Sequence, residues 1–136
     1  MKLSEHFADH EFRCRCAEHG FKPEDGFCGG KVWVSPTLVI MLETLRARLG
    51  GHPITINSGC RCAAYNATLP GSASSSRHIL GAAADIVVEG VPPDEVAAEA
   101  ERMGLGGVGR YDTFTHVDVR EQRGRWDLRT KRPKGR

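Results

Sequence analysis

Hydrophobic residues recur along this chain with the periods of helices and of strands. A helical period is clearest between positions 38 and 49, where one face would carry Leu38, Met41, Leu42, Leu45 and Leu49. Ser35 and Pro36 precede this run and suit the first positions of a helix, and Gly50 and Gly51 would end it. We therefore expect a helix between these two signals that packs one apolar face on a core.

Shorter patterns predict the remaining elements. Strands are expected at 31–34, 53–57, 82–88, 114–119 and 125–128, further helices at 62–69 and 92–104, two short helical turns within the first 34 residues, and a loop at 104–109. Helices and strands are mixed without a βαβ rhythm. This order favours an α+β domain in which a small, mainly antiparallel sheet packs with a few helices.

The chain has the size and composition of one folded domain. It holds 136 residues, of which 40% are hydrophobic and 26% are charged, and this composition excludes a disordered chain and a membrane-spanning protein. The first residues, MKLSEHFADHEF, lack the apolar stretch of a secretory signal.

The charges are unevenly distributed. The net charge is +2, but residues 120–136 carry eight basic and two acidic residues, or +6, which leaves −4 for the rest. We interpret residues 1–128 as a single domain and residues 129–136 as a basic, flexible tail. The tail is either a solvated terminus or a contact for an anionic polymer or surface, and the acidic body argues against nucleic-acid binding.

The cysteines leave three interpretations open. Three cysteines lie near the start with a histidine between them, and two form a later pair: Cys14, Cys16, His19, Cys28, Cys60 and Cys62. The spacing C-x-C-x2-H-x8-C is compatible with a structural zinc, although C-x-C is tighter than the usual C-x2-C hairpin. Disulfide bonds and free buried thiols are the alternatives.

A carboxylate inside an apolar strand is the most informative feature of the sequence. Asp85 lies among alanines and β-branched residues, where a buried charge is costly unless a cation or several donors satisfy it. A loop that turns back at Gly81 would bring the imidazole of His78 beside this carboxylate. Nitrogen and oxygen ligands of this kind suit Zn²⁺. The alternative is a buried aspartate held by loop amides, with His78 merely nearby.

The predicted strand at 114–119 offers a further imidazole. Alternation along the strand puts Phe114, His116, Asp118 and Arg120 on one face. In one interpretation this is the solvent-exposed face of an antiparallel strand. In the other it lines a cleft, where His116 supplies a third metal ligand. Three ligands with an open fourth position is the arrangement of a catalytic zinc site.

A third motif is the turn at residues 57–61, which follows a predicted strand. It presents Arg61, whose guanidinium suits a carboxylate or a developing oxyanion.

Together these motifs resemble the zinc D-Ala-D-Ala carboxypeptidase and murein peptidase family, whose relatives include phage endolysin peptidases and the hedgehog-type zinc fold. The family pattern S-x-H-x-x-G-x-A-x-D is matched in full by residues 76–85, S-G-x-R by residues 58–61, and the late H-x-D by residues 116–118, which follow a G-V-G-R-Y segment. The resemblance extends from about Phe12 to about Trp126 and implies a fold of that type.

The resemblance also implies roles for individual residues. His78, Asp85 and His116 would bind Zn²⁺. Arg61 would stabilise the tetrahedral intermediate or anchor the substrate, and Ser76 and Asn66 would belong to the substrate-binding part of the site.

The general base departs from the pattern of the relatives. They carry a carboxylate three residues before the last histidine ligand, where this chain has Thr113. Because strand alternation puts Asp118 on the same face as His116, it is our first candidate for the base, and Asp112 on the preceding loop is the second. In the expected mechanism, zinc activates water and polarises the scissile carbonyl, and the base passes the water proton to the leaving amine.

The function that the resemblance implies is a zinc-dependent peptidase that cleaves peptidoglycan stem peptides, as a D,D-carboxypeptidase or as an endopeptidase of the endolysin type. We expect a monomer of phage or prophage type, made in the cytoplasm and acting at the cell wall, where the basic tail would bind an anionic wall polymer. The alternative is a non-catalytic zinc-binding module that recognises cell-wall peptides or a protein partner.

Overall fold

The structure, a computed structural model, describes residues 1–130, so the end of the predicted basic tail lies outside the described residues. Its regular elements are α1 Pro36–Arg48, β1 Ile54–Ser58, α2 Ala63–Thr68, β2 Ala83–Val88, α3 Pro93–Arg102, β3 Gly107–Arg110, β4 Thr115–Asp118 and β5 Gly124–Asp127. The α+β class is confirmed. No helix in residues 1–130 combines the length and the apolar character needed to cross a membrane.

The five strands form one sheet in the order β1-β2-β4-β3-β5. The pairings β1·β2, β2·β4 and β3·β4 are antiparallel, and only the pairing of β3 with β5 is parallel. The sheet is thus mainly antiparallel, as predicted. Strand β2 occupies an interior position, which explains why its sequence is apolar on both faces.

Helix α1 follows the sequence signals closely. The Ser35 hydroxyl accepts a hydrogen bond from the amide of Leu38 at 3.4 Å, and Pro36 occupies the first helical position. Leu38, Leu42 and Leu45 are fully buried and join the core beneath the sheet. Burial of three leucines contributes roughly 5–9 kcal/mol before the loss of chain entropy.

The predicted strand at 31–34 is wrong, because this segment has no regular secondary structure and does not pair with the sheet. The carbonyl of Lys31 accepts a hydrogen bond from the amide of Cys14 at 2.9 Å, and the amide of Ser35 donates to the carbonyl of Gly81 at 2.8 Å. The segment therefore bridges two loops. Before it lie three short 3-10 turns, at Asp9–Phe12, Cys16–His19 and Pro23–Asp25, where two helical turns were expected.

The predicted loop at 104–109 is also wrong, because it contains β3. Glycine disfavours strands, and two of the four residues of β3 are glycines. A side chain at Gly107 would overlap the carboxylate of Asp118, and one at Gly109 would overlap the indole of Trp126. The glycines therefore leave room for side chains that pack across the strand.

The start of the predicted tail is held by the domain. Arg129 forms ion pairs with Asp127 at 2.6 Å and with Asp94 at 3.0 Å. The amide and hydroxyl of Thr130 both donate to Asp112, at 2.9 Å each. The predicted boundary after residue 128 therefore does not separate Arg129 and Thr130 from the domain.

Candidate metal and catalytic site

The fold brings together three side chains that are far apart in the sequence. Asp85 on β2 and His116 on β4 are direct partners in the antiparallel pairing of these strands. Asp85 Oδ1 lies 3.0 Å from His116 Nδ1 and 3.2 Å from Nε2 of His78, which lies on the loop before β2. All three residues are buried.

His78 is oriented by the backbone around it. One of its ring nitrogens, Nδ1, donates a hydrogen bond to the carbonyl of Gly59 at 2.7 Å, and the other, Nε2, faces Asp85. The loop turns at Gly81, where φ is +67° and an added Cβ would lie 2.5 Å from the carbonyl oxygen of Trp33. Gly81 therefore gives the loop both the conformation and the close approach that place His78.

His116 is oriented by a carboxylate. Its Nε2 lies 2.7 Å from Oδ2 of Asp118, which leaves Nδ1 to face Asp85. Asp118 is fully buried and also accepts hydrogen bonds from Nε and Nη2 of Arg120, at 2.8 and 2.7 Å. The whole of β4 is buried, so the interpretation of this strand as having a solvent-exposed face is wrong. The indole of Trp126 covers the imidazole of His116, with 4.9 Å between ring centroids.

These contacts keep both carboxylates charged. Burial raises the pKa of Asp85, but hydrogen bonds from His116 and His78 outweigh it and hold the pKa well below its usual range. The pKa of Asp118 is lowered in the same way by His116 and Arg120, against the effect of burial. Burial lowers the pKa of His116, but its two carboxylate partners raise it above the ordinary value.

The three donors suit a borderline divalent cation. Two imidazole nitrogens and one carboxylate oxygen form a common catalytic zinc donor set, and bond lengths of about 2.0–2.1 Å in a tetrahedron put neighbouring ligand atoms roughly 3.3 Å apart. The observed separations of 3.0 and 3.2 Å are close to this value, and all three donor atoms lie within 4.8 Å of one another. The residues therefore fit Zn²⁺ with minor adjustment.

His78, Asp85 and His116 line a cavity of about 310 Å³. Besides them, the residues that line it include three arginines and two aromatic residues: Arg61, Arg77, Arg120, Tyr111 and Trp126. Sequence reasoning identified only Arg61 of these five. The alternation of β4 already put Arg120 on the face of His116, whereas only the parallel pairing of β5 with β3 brings Trp126 to the cavity.

Arg61 is held by three contacts. Its Nη2 donates to Asp85 Oδ2 at 3.2 Å, its Nη1 to Asn66 Oδ1 at 3.2 Å, and its Nε to the hydroxyl of Ser58 at 3.1 Å. Asn66 is itself buried and donates to the carbonyl of Ala73 at 2.9 Å. Asn66 thus positions Arg61 rather than lining this cavity, while the guanidinium keeps further N–H groups for a ligand.

The other predicted residues lie in different surroundings. Ser76 lines the cavity, and its hydroxyl accepts a hydrogen bond from the amide of His78 at 3.2 Å. Asp118 lies behind His116, outside the lining, and Asp112 lies on the surface with Thr130. Among the described lining residues, Asp85 is the one carboxylate.

Comparison with known proteins identifies the family of this chain. A curated relative from Haemophilus influenzae, named "Probable peptidoglycan L,D-endopeptidase MepK", is 37% identical over an alignment of 94 residues, and the alignment covers 63% of this chain and 50% of the relative. The chain thus spans about half the length of that relative. A family model described as Peptidase M15 matches residues 5–118, a range that includes His78, Asp85 and His116. This chain belongs to the peptidase M15 family.

Proposed function

We propose that this protein is a zinc-dependent peptidase that hydrolyses the stem peptides of peptidoglycan. The observation that carries the proposal is the buried group of His78, Asp85 and His116 at the end of an arginine-rich cavity. Membership of a peptidase family supports hydrolysis, and the name of the Haemophilus influenzae relative supports the substrate class.

Zn²⁺ is the metal that best suits this donor set. His78 Nε2, Asp85 Oδ1 and His116 Nδ1 would hold it, and a fourth position would face the cavity. When bound, the ion supplies a Lewis acid that lowers the pKa of water to about 7 and polarises a peptide carbonyl.

The arginines of the cavity would bind and orient the substrate. Stem peptides carry free carboxylates, and guanidinium groups bind carboxylates through paired N–H donors. Arg61 lies nearest to the metal ligands, so we assign it to the oxyanion or to a carboxylate beside the cleaved bond. Arg77 and Arg120 would bind charges farther along the peptide.

For the proton-transfer step we propose a group other than Asp118 or Asp112. Because Asp118 is buried and binds both His116 and Arg120, we propose that it is a positioning residue that fixes the imidazole and keeps it a strong ligand. In the cavity lining, the Tyr111 hydroxyl accepts a hydrogen bond from Trp126 Nε1 at 3.0 Å. Its own hydrogen can therefore point into the cavity, where it would pass to the leaving amine, and the proton that the attacking water loses would restore the hydroxyl.

A non-catalytic module that binds cell-wall peptides is the second candidate. It is favoured by one observation, namely that Asp85 is the one carboxylate among the described residues of the cavity lining and is already used as a metal ligand. Such a module would bind the same peptides through the same arginines and would release no product.

Digestion of purified peptidoglycan fragments separates the two candidates. We expect new amino groups to form, the reaction to stop with a chelator and resume with Zn²⁺, and the His78→Ala variant to be inactive. Mass spectrometry of the products identifies the bond, and the relative's name leads us to expect endopeptidase products over released D-alanine. Binding of fragments without new amines would instead identify the module, and full activity with full zinc in His78→Ala would refute the ligand assignment.

A further inference from the structure

A second group of potential metal ligands lies outside the cavity. It consists of four cysteines, Cys14, Cys16, Cys28 and Cys62, whose Sγ atoms all lie within 4.8 Å of one another. We call it the cysteine cluster. The Sγ–Sγ distance is 3.8 Å between Cys14 and Cys62 and 3.7 Å between Cys16 and Cys28. Cys14 and Cys16 are buried, and the other two are half-buried.

These distances match four sulfur atoms around one ion. In a tetrahedral site with Zn–S bonds of about 2.3 Å, neighbouring sulfurs are roughly 3.8 Å apart. Two disulfide bonds would need no more than two pairs of sulfurs in proximity, whereas here each sulfur is close to the other three. A mutual arrangement of four sulfurs is therefore better explained by a shared ion than by pairwise bonds.

The surroundings of the cluster combine a backbone donor with aromatic side chains. The amide of Cys62 donates to Sγ of Cys14 at 3.4 Å, a contact that favours a charged sulfur. Tyr65, Phe21, Phe27 and Trp33 pack against the cluster and shield it from water.

The two neighbouring candidates from the sequence are not part of the group. His19 stacks on Tyr65, with 5.9 Å between ring centroids, and is not among the clustered donors. Sγ of Cys60 donates to the carbonyl of Lys31 at 3.5 Å, which leaves this thiol as a buried neighbour. The fourth ligand predicted from spacing was His19, and the structure has Cys62 in its place.

We propose that Cys14, Cys16, Cys28 and Cys62 bind a second Zn²⁺ as four thiolates with no open position, making it a structural site. Binding to four thiols releases four protons and leaves the site with a charge of −2. No oxidation is involved, and softness of the donors favours zinc over harder cations such as Mg²⁺ or Ca²⁺.

The site would join two parts of the molecule. Cys14, Cys16 and Cys28 belong to the N-terminal region, whose only helical elements before α1 are short 3-10 turns. Cys62 directly follows Arg61 of the cavity. The second ion would therefore anchor an irregular segment and also fix the turn that presents Arg61.

Zinc content, measured by mass spectrometry after purification under reducing conditions and dialysis, tests the proposal. We expect two equivalents in the natural chain and one in His78→Ala, in which the cysteine cluster is intact. One equivalent in the natural chain and none in His78→Ala would overturn the second site while leaving the proposed peptidase centre standing. One equivalent in both proteins would support the cysteine cluster and overturn the proposed peptidase centre.

Cys62→Ser and Cys60→Ser make a matched pair, two residues apart. Cys62 is the N-cap of α2, a position that serine suits, so without a bound ion Cys62→Ser should be neutral or stabilising. We expect it to lose one zinc equivalent and to melt at a lower temperature, while Cys60→Ser keeps both ions. Equal zinc in the two variants would contradict the proposal.

Substitution of zinc by cobalt provides a spectroscopic readout that can be measured on the natural chain. With Co²⁺ in place of zinc, four thiolates give intense sulfur-to-metal charge-transfer absorption, which the nitrogen and oxygen donors of the other site do not give. We expect this absorption in the natural chain and in His78→Ala. Its absence, together with thiols that have oxidised to disulfides, would overturn the proposal.

Discussion

Two groups of potential ligands, built from different donors, lie in this small domain. The group of His78, Asp85 and His116 has three nitrogen and oxygen donors and faces a cavity, whereas the cysteine cluster has four sulfurs and packs against aromatic side chains. An open position lets water and substrate reach a metal, and a complete set of four ligands excludes them. The number of donors and their access to solvent therefore separate a site for chemistry from a site for stability.

The two groups also differ in the secondary structure that holds their side chains in place. Asp85 and His116 are on paired strands, and each imidazole is fixed through its second nitrogen, by Gly59 or by Asp118. This rigidity keeps the ligands in position with or without an ion. The cysteines are on loops and short turns, which the proposed second ion would hold together.

The largest expected effect comes from removing metal in two stages. A mild chelator should reach the open group and abolish hydrolysis, while the four-thiolate site keeps its ion and circular dichroism stays unchanged. A stronger chelator or a thiol reagent should then remove the second ion and lower the free energy of unfolding by several kcal/mol. Loss of both ions in a single step, together with the fold, would show that the two groups do not differ as we infer.

The next effect concerns Arg61, which lies between the two groups. We expect Arg61→Lys to lower kcat by about 10²–10³-fold, because lysine keeps the charge but not the planar pair of donors. Zinc content should remain that of the natural chain. Arg102→Lys on the exposed side of α3 is the matched control and should keep full activity. If both variants keep natural kcat, Arg61 has no role in binding the reacting group.

Much of this molecule could be predicted from local sequence. The helix at 36–48 was identified by its spacing and its cap, and β2 by a short apolar run, because these signals arise from neighbouring residues. The meeting of His78, Asp85 and His116 required the motif resemblance, since strand pairing joins positions 31 residues apart.

The errors arose where tertiary packing outweighs local preference. The sequence of β3 predicts a loop because Gly107 and Gly109 lower strand propensity, yet those glycines make room for Asp118 and Trp126. Local sequence does not identify the fourth member of the cysteine cluster, for a related reason. Cys62 is 48 residues from Cys14, and spacing within one segment favoured the nearer His19.

A smaller effect tests whether Asp118 orients a ligand or acts as a base. We expect Asp118→Asn to weaken zinc binding at the open group by about 10–100-fold, because the amide holds His116 less firmly and makes it a poorer ligand. Activity should then return as zinc is raised to saturation, and the cysteine cluster should keep its ion. A loss of kcat that persists at saturating zinc would instead assign the proton-transfer step to Asp118.

The smallest effect is expected at Asp112, the other carboxylate considered as a base. Its oxygens accept hydrogen bonds from Thr130 at the surface, and it does not belong to the cavity lining. Asp112→Asn should leave kcat unchanged and shift the free energy of unfolding by no more than about 0.5 kcal/mol, as for most surface substitutions. Kinetics at saturating zinc, compared directly with Asp118→Asn, provide the check. A large fall in kcat for Asp112→Asn that persists at saturating zinc would instead assign the proton-transfer step to Asp112, as the sequence allows.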